Sequence, residues 1–165
     1  MTRWSPWLAL VVAAVLLTGC LGKTTDSTAP VDILSPGTWV SLAPMPTPRQ
    51  EVAVAELNGR VFVIGGFGPG SEAVATVEVY DPASDRWETR TPLPAPTHHA
   101  AAAVIDGRLF VVGGYSGGRV SWSPLRTVYE YDEARSSWST RAPLRHARGG
   151  LAVVALAGRL HAVGG

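Results

Sequence analysis

The chain has 165 residues, with 14 Lys plus Arg against 13 Asp plus Glu and a formal net charge of +1. That balance excludes a nucleic-acid binder relying on a basic surplus to neutralise phosphates, and 46% hydrophobic against 16% charged residues excludes wholesale disorder. Eighteen Gly and 13 Pro without a Gly-X-Y period predict short elements joined by tight turns, and one Cys leaves no disulfide framework, multi-cysteine zinc site or Cys-x-x-Cys redox pair.

In chain order, Arg3 precedes an unbroken apolar run, WLALVVAAVLL, at residues 7–17, and Leu17-Thr18-Gly19-Cys20 follows at once. Eleven apolar residues are too few to cross a bilayer as a helix, so the run predicts a secretory signal helix. Residues 17–20 (LTGC) resemble the bacterial lipobox. The resemblance implies cleavage before Cys20 and a diacylglycerol on its thiol, giving a signal peptide over 1–19, then the lipidated Cys20 and a flexible linker over 20–37. Acyl chains contribute about 0.8 kcal/mol per buried CH₂, so two or three on one residue make a stable anchor. The expected location is extracytoplasmic, on the cell membrane or, because Leu21 stands where a retention aspartate would sit, on the outer membrane of a two-membrane host. The linker, polar and rich in Thr, Ser and Pro, shows neither a helical nor a strand period.

From residue 38 the chain repeats itself. Gly65-Gly66, Gly113-Gly114 and Gly164-Gly165 stand 48 and then 51 residues apart, and Trp39, Trp87 and Trp138 keep the same intervals. The three extra residues of the second interval fall between the diglycine and the pair Thr127-Val128, which predicts a loop that tolerates insertion. Each unit divides into four strand-like pieces. The first is small and apolar (VAVAEL, AAAAVI, LAVVAL), and the second is β-branched or aromatic and runs into the diglycine (RVFVIGG, RLFVVGG, RLHAVGG). Asn58-Gly59 and Asp106-Gly107 between them suit two-residue hairpin turns. The third piece, TVEVYD or TVYEYD, alternates with period two, and Asp81-Pro82 turns the chain into a fourth, DRWETR, matched by SSWSTR and by TWVSLA at 38–43.

A four-stranded meander of this size cannot bury both faces alone, so the copies must stack. The pattern of diglycine after the second strand, Tyr-Asp ending the third and Trp in the fourth resembles the kelch repeat of β-propellers over residues 38–165. The resemblance implies an all-β fold, a partial kelch-type propeller of about two and a half four-stranded antiparallel blades, with Trp39 on a lone fourth strand. Kelch propellers have six or seven blades, so the sequence is expected to be a fragment or a truncated product, with open blade edges that favour self-association. The Gly, Tyr and Trp residues are expected to be packing devices, glycine admitting a neighbour's aromatic ring.

Propellers bind at the rim where fourth-to-first and second-to-third connections meet. There Arg49-Gln50-Glu51 changes to Thr97-His98-His99 and then Arg148-Gly149-Gly150, and the long connections add Phe67, Tyr115, Arg119 and Trp122. Trp122 lies outside the repeated Trp register and has no evident packing duty; an exposed aromatic beside Arg suits a sugar ring or a peptide. The candidate contacts are therefore Arg49, Gln50, His98, His99, Tyr115, Arg119, Trp122 and Arg148. Adjacent strand residues point to opposite faces, so His98-His99 is not expected to chelate one ion, and His146 and His161 have no acidic or cysteine companions. No Gly-x-Ser-x-Gly elbow appears. The expected function is a lipid-anchored module whose rim recognises a protein or glycan, without catalysis, metal, cofactor or nucleic acid. The alternatives are a fragment of a carbohydrate-active propeller enzyme, similar to the sialic-acid mutarotases or to galactose oxidase, and a non-functional truncated product.

Overall fold

The computed structural model describes residues 37–165, and the signal segment, Cys20 and all but the last residue of the linker lie outside them. The compact unit runs from Val40 to Gly165. Its strands are β1 (Ala53–Leu57), β2 (Arg60–Ile64), β3 (Val77–Asp81) and β4 (Arg86–Arg90), then β5 (Ala101–Ile105), β6 (Arg108–Val112), β7 (Tyr115–Gly118), β8 (Ser121–Pro124), β9 (Val128–Asp132) and β10 (Ser137–Thr140), and finally β11 (Leu151–Leu156) and β12 (Arg159–Gly164). β1-β2-β3-β4 and β5-β6-β9-β10 are antiparallel four-stranded sheets, β11-β12 is a two-stranded start of a third, and β7-β8 is a separate hairpin.

The first-to-second hairpins are built as their turn residues dictate. Asn58 and Gly59 have φ of 52° and 76°, Asp106 and Gly107 50° and 69°, and Ala157 and Gly158 49° and 69°. Two successive positive φ values match the twist of the flanking strands. The third-to-fourth turns also repeat, with Asp85 at 51° and Ser136 at 49°.

The sheets stack like vanes. Ala53, Leu57, Phe62, Ile64, Val77 and Val79 on one face of the first sheet pack with Leu109, Val111, Tyr129 and Tyr131 of the second. The opposite face of the second sheet, with Phe110, Val112 and Val128, packs on Leu144, Leu151, Val153 and Leu160. The small first strands line the inside, β1 against β5 and β5 against β11. Fully burying a side chain such as Phe62 contributes about 1.5–3 kcal/mol. The outer strands carry the aromatics. Tyr80 pairs with Trp87 and Tyr131 with Trp138 across the third and fourth strands, at ring separations of 5.2 and 4.8 Å. The two indoles play matched parts: Trp87 Nε1 donates to Ala43 O and Trp138 Nε1 to Thr91 O, both at 2.9 Å.

Three expectations change here. Residues 38–43 form no strand, and Trp39 therefore joins no sheet, because a fourth strand exists only by pairing with a third and none lies beside it among the described residues. The segment nonetheless keeps the repeat's register, since the Ala43 N–H also donates to Asp85 at 2.8 Å. The longer second insertion, expected as a loop, folds into the β7-β8 hairpin. The diglycines do not admit rings: a Cβ on Gly65 would meet Thr97 O at 2.5 Å, one on Gly66 would meet Gln50 O at 2.5 Å, and one on Gly114 would meet the Thr97 hydroxyl. The glycine that does accommodate a ring is Gly149, where a Cβ would collide with the Tyr115 phenol.

Glu130 stands where the first sheet has Val79, and it is held by Arg108 (Nε, 2.7 Å) and Arg141 (2.5 Å). The hydrogen bonds from these two guanidiniums hold its pKa down, to about 2. A folded pKa below the unfolded one stabilises the fold at neutral pH, and that contribution is lost as pH falls from about 4.5 towards about 2. Chemical denaturation at pH 5 and pH 2.5 is expected to show a loss of stability that is smaller in Glu130→Gln; an equal loss in both proteins would discount this triad.

Candidate functional site

The rim forms where the two kinds of connection pair directly. Gln50 bridges Phe67, and His98 bridges Tyr115 with both backbone bonds made (3.1 and 2.9 Å). The diglycine turns the chain sharply at this point. Gly66 N–H then donates to Thr97 O of the next unit (2.8 Å), and Gly114 N–H to Arg148 O (2.7 Å). One residue later the chain passes through the left-handed region at each matched position: Glu51 at φ 56°, His99 at 52° and Gly150 at 68°. These residues link the units in series, His99 N–H donating to Glu51 O and Gly150 N–H to His99 O (3.0 and 2.9 Å).

That backbone overturns the expectation that His98 and His99 diverge. A left-handed residue breaks the alternation of an extended strand, and the two imidazoles meet with Nδ1 atoms 2.7 Å apart. His99 Nε2 lies 3.2 Å from Glu51 Oε2. His98 is fully buried, stacked on Phe67 at 4.0 Å and flanked by Tyr115 at 5.7 Å. Burial, then the neighbouring His99, pushes the His98 pKa below its ordinary value, with Glu51 opposing.

Trp122 does have a packing duty. The β7-β8 hairpin leans on the connection of the preceding unit through a bridge between Gly118 and Glu72, and brings Trp122 over the cluster. Its ring lies 4.9 Å from His99, 5.0 Å from His98, 5.6 Å from Tyr115 and 5.9 Å from Phe67, while 49% of the residue remains exposed. Tyr115 is fixed at the far end, its hydroxyl donating to Gly149 O (3.2 Å). Beside Phe67 opens a cleft of about 280 Å³ lined by Arg49, Gln50, Phe67 and Ser71 and by the flanking Pro48 and Pro69.

Arg49 lines that cleft, but its guanidinium, like that of Arg148, is engaged by backbone carbonyls of the fold. The Arg49 side chain is wholly buried, donating to Gly65 O (2.6 Å), Thr76 O (3.0 Å), Val63 O (3.2 Å) and the Glu78 carboxylate (2.8 Å). Arg148 occupies the matched place in the third unit and donates to Gly164 O (2.6 Å). Both clamp the carbonyl at the start of the diglycine turn. Gln50 and Arg119 are exposed on the rim. The structure thus gathers His98, His99, Tyr115 and Trp122, places Gln50 and Arg119 at the periphery and engages the guanidiniums of Arg49 and Arg148 with backbone carbonyls. Glu51 and Phe67 complete the cluster, and neither was among the candidate contacts. Gly150 at the position matching His99 was the available signal for a left-handed turn there. Among the described residues no three His, Cys, Asp or Glu side chains converge to hold a metal ion.

The kelch motif model matches residues 48–94 and 96–145. The chain belongs to the kelch-repeat family. It is similar to an F-box/kelch-repeat protein of Arabidopsis thaliana, 35% identical over 72 residues covering 41% of this chain and 19% of that protein. It also resembles Kelch-like protein 21 of Danio rerio, 34% identical over 92 residues covering 50% and 15%. The chain therefore spans less than a fifth of these relatives. Among solved structures, that of YjhT matches with a TM-score of 0.63 at 20% identity, over 72% of this chain and 46% of that one, and shares its fold.

Proposed function

We propose that this kelch chain is an extracytoplasmic, lipid-anchored binding module that recognises a protein or a glycan through the rim around Trp122. The observation that carries the reading is Trp122 itself, half exposed yet held by four rings beneath it, next to a cleft floored by Phe67. A pre-positioned aromatic presents a large contact area at little entropic cost, as residues that dominate binding do. Gln50 and Arg119 supply polar contacts at its margin. Its placement outside the cytoplasm rests on the signal-like residues 1–17 and on Cys20, whose acylation would confine the rim to a membrane surface.

Binding is tested by presenting the full chain, in detergent micelles, to a glycan array and to a displayed-peptide library. Trp122→Ala is expected to weaken the selected ligand about 30-fold, the size of an anchor residue worth about 2 kcal/mol. Unchanged affinity after joint replacement of Trp122, Gln50 and Arg119 would move the site elsewhere. The anchor has its own test. Cys20→Ser is expected to shift the protein from the detergent phase to the aqueous phase on phase partitioning, and a wild-type chain already found in the aqueous phase would refute lipidation.

A further inference from the structure

Glu51, His99 and His98 form a chain of proton-carrying groups with one unfinished end. The carboxylate only accepts, so the proton of its 3.2 Å contact belongs to His99 Nε2. A neutral His99 then offers a lone pair at Nδ1, and His98 Nδ1–H donates to it across 2.7 Å. One basic nitrogen remains, His98 Nε2, and it is buried with no hydrogen-bond partner. Phe67, Tyr115 and Trp122 surround that ring and none of them places an acceptor on it. The next proton to bind the pair therefore creates a buried imidazolium N–H without an acceptor, or breaks the bond between the two histidines.

We infer that the His98–His99 pair is a proton-operated latch, which when neutral holds Trp122 and the tip of the β7-β8 hairpin closed over the rim and when protonated releases them. The cost of an unpaired buried charge outweighs the cation–π attraction of the stacked Phe67. Turning the charged ring into water relieves it, and the neighbour free to move is Trp122. The hairpin carrying Trp122 is rooted at Tyr115 by the backbone bonds to His98, and Phe67 is fixed likewise to Gln50. The hairpin's far end, however, meets the preceding unit through the Gly118–Glu72 bridge and Trp122 itself through ring contacts, so the tip can lift about its root.

The other titratable and charged groups facing the latch are few. Glu51 favours the proton and His99 opposes it, with burial the largest influence and the His98 pKa lowered in the closed form. Tyr115 donates its hydroxyl to Gly149. Glu72 folds back over Gly68 and Gly70, Arg119 is exposed at the hairpin tip and Arg148 is bonded to Gly164 O. A solvated imidazole has its ordinary pKa of about 6.5, so the open form binds the proton more tightly. The closed-to-open ratio then falls as pH drops below about 6.5, by up to about tenfold per pH unit for one proton.

The biological use of the latch rests on the binding rim proposed above, but its test is conformational. In the full chain labelled with fluorotryptophan, the Trp122 resonance, assigned through Trp122→Phe, is followed from pH 7.5 to 5. It is expected to move to a solvent-exposed position while those of Trp87 and Trp138 stay. His98→Phe keeps the stacking without the proton and is expected to leave Trp122 closed throughout. Glu51→Gln, an exposed change, removes the one neighbour that favours the proton in the closed form and is expected to move the midpoint to higher pH; it decides the matter if His98→Phe does not fold. A Trp122 resonance that stays put, one that titrates unchanged in His98→Phe, or a midpoint lowered by Glu51→Gln would overturn the latch. A rim that titrates but binds nothing would retire the binding reading and leave the latch standing; a rim that binds through Trp122 without titrating would do the reverse.

Discussion

Gly65→Ala is expected to destabilise the protein by about 3–5 kcal/mol, lowering the thermal midpoint by about 10–15 °C. Two causes add. Gly65 has φ +61°, and an L side chain in the left-handed region costs roughly 1–2 kcal/mol. The new Cβ would also lie 2.5 Å from Thr97 O, a backbone atom of the next unit that cannot rotate away. That carbonyl accepts the Gly66 N–H at 2.8 Å, so pushing it aside strands a buried donor at a cost of about 1–3 kcal/mol. Gly107→Ala is the control. Its φ is +69° but nothing lies within 4 Å of the added carbon, so only the conformational cost of about 1 kcal/mol is expected. Denaturant unfolding of both variants checks the difference, and equal losses would show that the diglycine is kept for its backbone angle and not for the contact between units.

Arg49→Met should cost about as much by a different route. The guanidinium serves three carbonyls and the Glu78 carboxylate from a fully buried position, and Glu78 itself is 3% exposed. Without Arg49 that carboxylate keeps Thr47 Oγ1 (2.7 Å) as its side-chain partner, and an uncompensated buried charge costs about 3–5 kcal/mol. Adding Glu78→Met removes the stranded charge, so the double variant is expected to recover most of the loss, a positive coupling energy in a double-mutant cycle. Arg49→Lys is expected to rescue little, because one ammonium cannot reproduce a planar fork that reaches four acceptors. Independent, additive losses would break the assignment of Arg49 as a clamp. Any effect of Arg49→Met on ligand binding is expected to vanish once the fraction folded is taken into account.

The strands, their order within each unit and the turns between them were legible because their signals are local. Alternation in TVEVYD, small residues in AAAAVI and Asn-Gly between two apolar runs each specify a conformation within a few residues, and repetition at 48 and 51 residues shows them again. The fourth strand expected at residues 38–43 failed for the opposite reason. Its sequence matches the repeat, but a strand is a relation between two segments, and the match says nothing about whether a partner is beside it.

The candidate site divides in the same way. Arg49 and Arg148 stand at matched positions, which is itself a mark of a structural duty. Reading them as variable rim chemistry weighed the one different copy, Thr97, above the two alike. Thr97 does related work, its hydroxyl donating to Tyr115 O at 3.2 Å. The meeting of His98 with His99 depended on the sign of one dihedral at His99. Trp122 gained its role when an insertion folded into a hairpin aimed at its own unit's rim.

By itself, then, the sequence determined an all-β chain of repeated meanders, the hairpin turns and the small residues of the inner strands, since each follows from side-chain size, period or turn chemistry over a short span. Tertiary structure alone decided that the Arg49 guanidinium is buried, that two histidines meet beneath a tryptophan and that Gly65 makes room for a carbonyl. Those outcomes arise where backbones some fifty residues apart converge around the sharp diglycine turns, and convergence of that kind leaves no periodic mark on the chain.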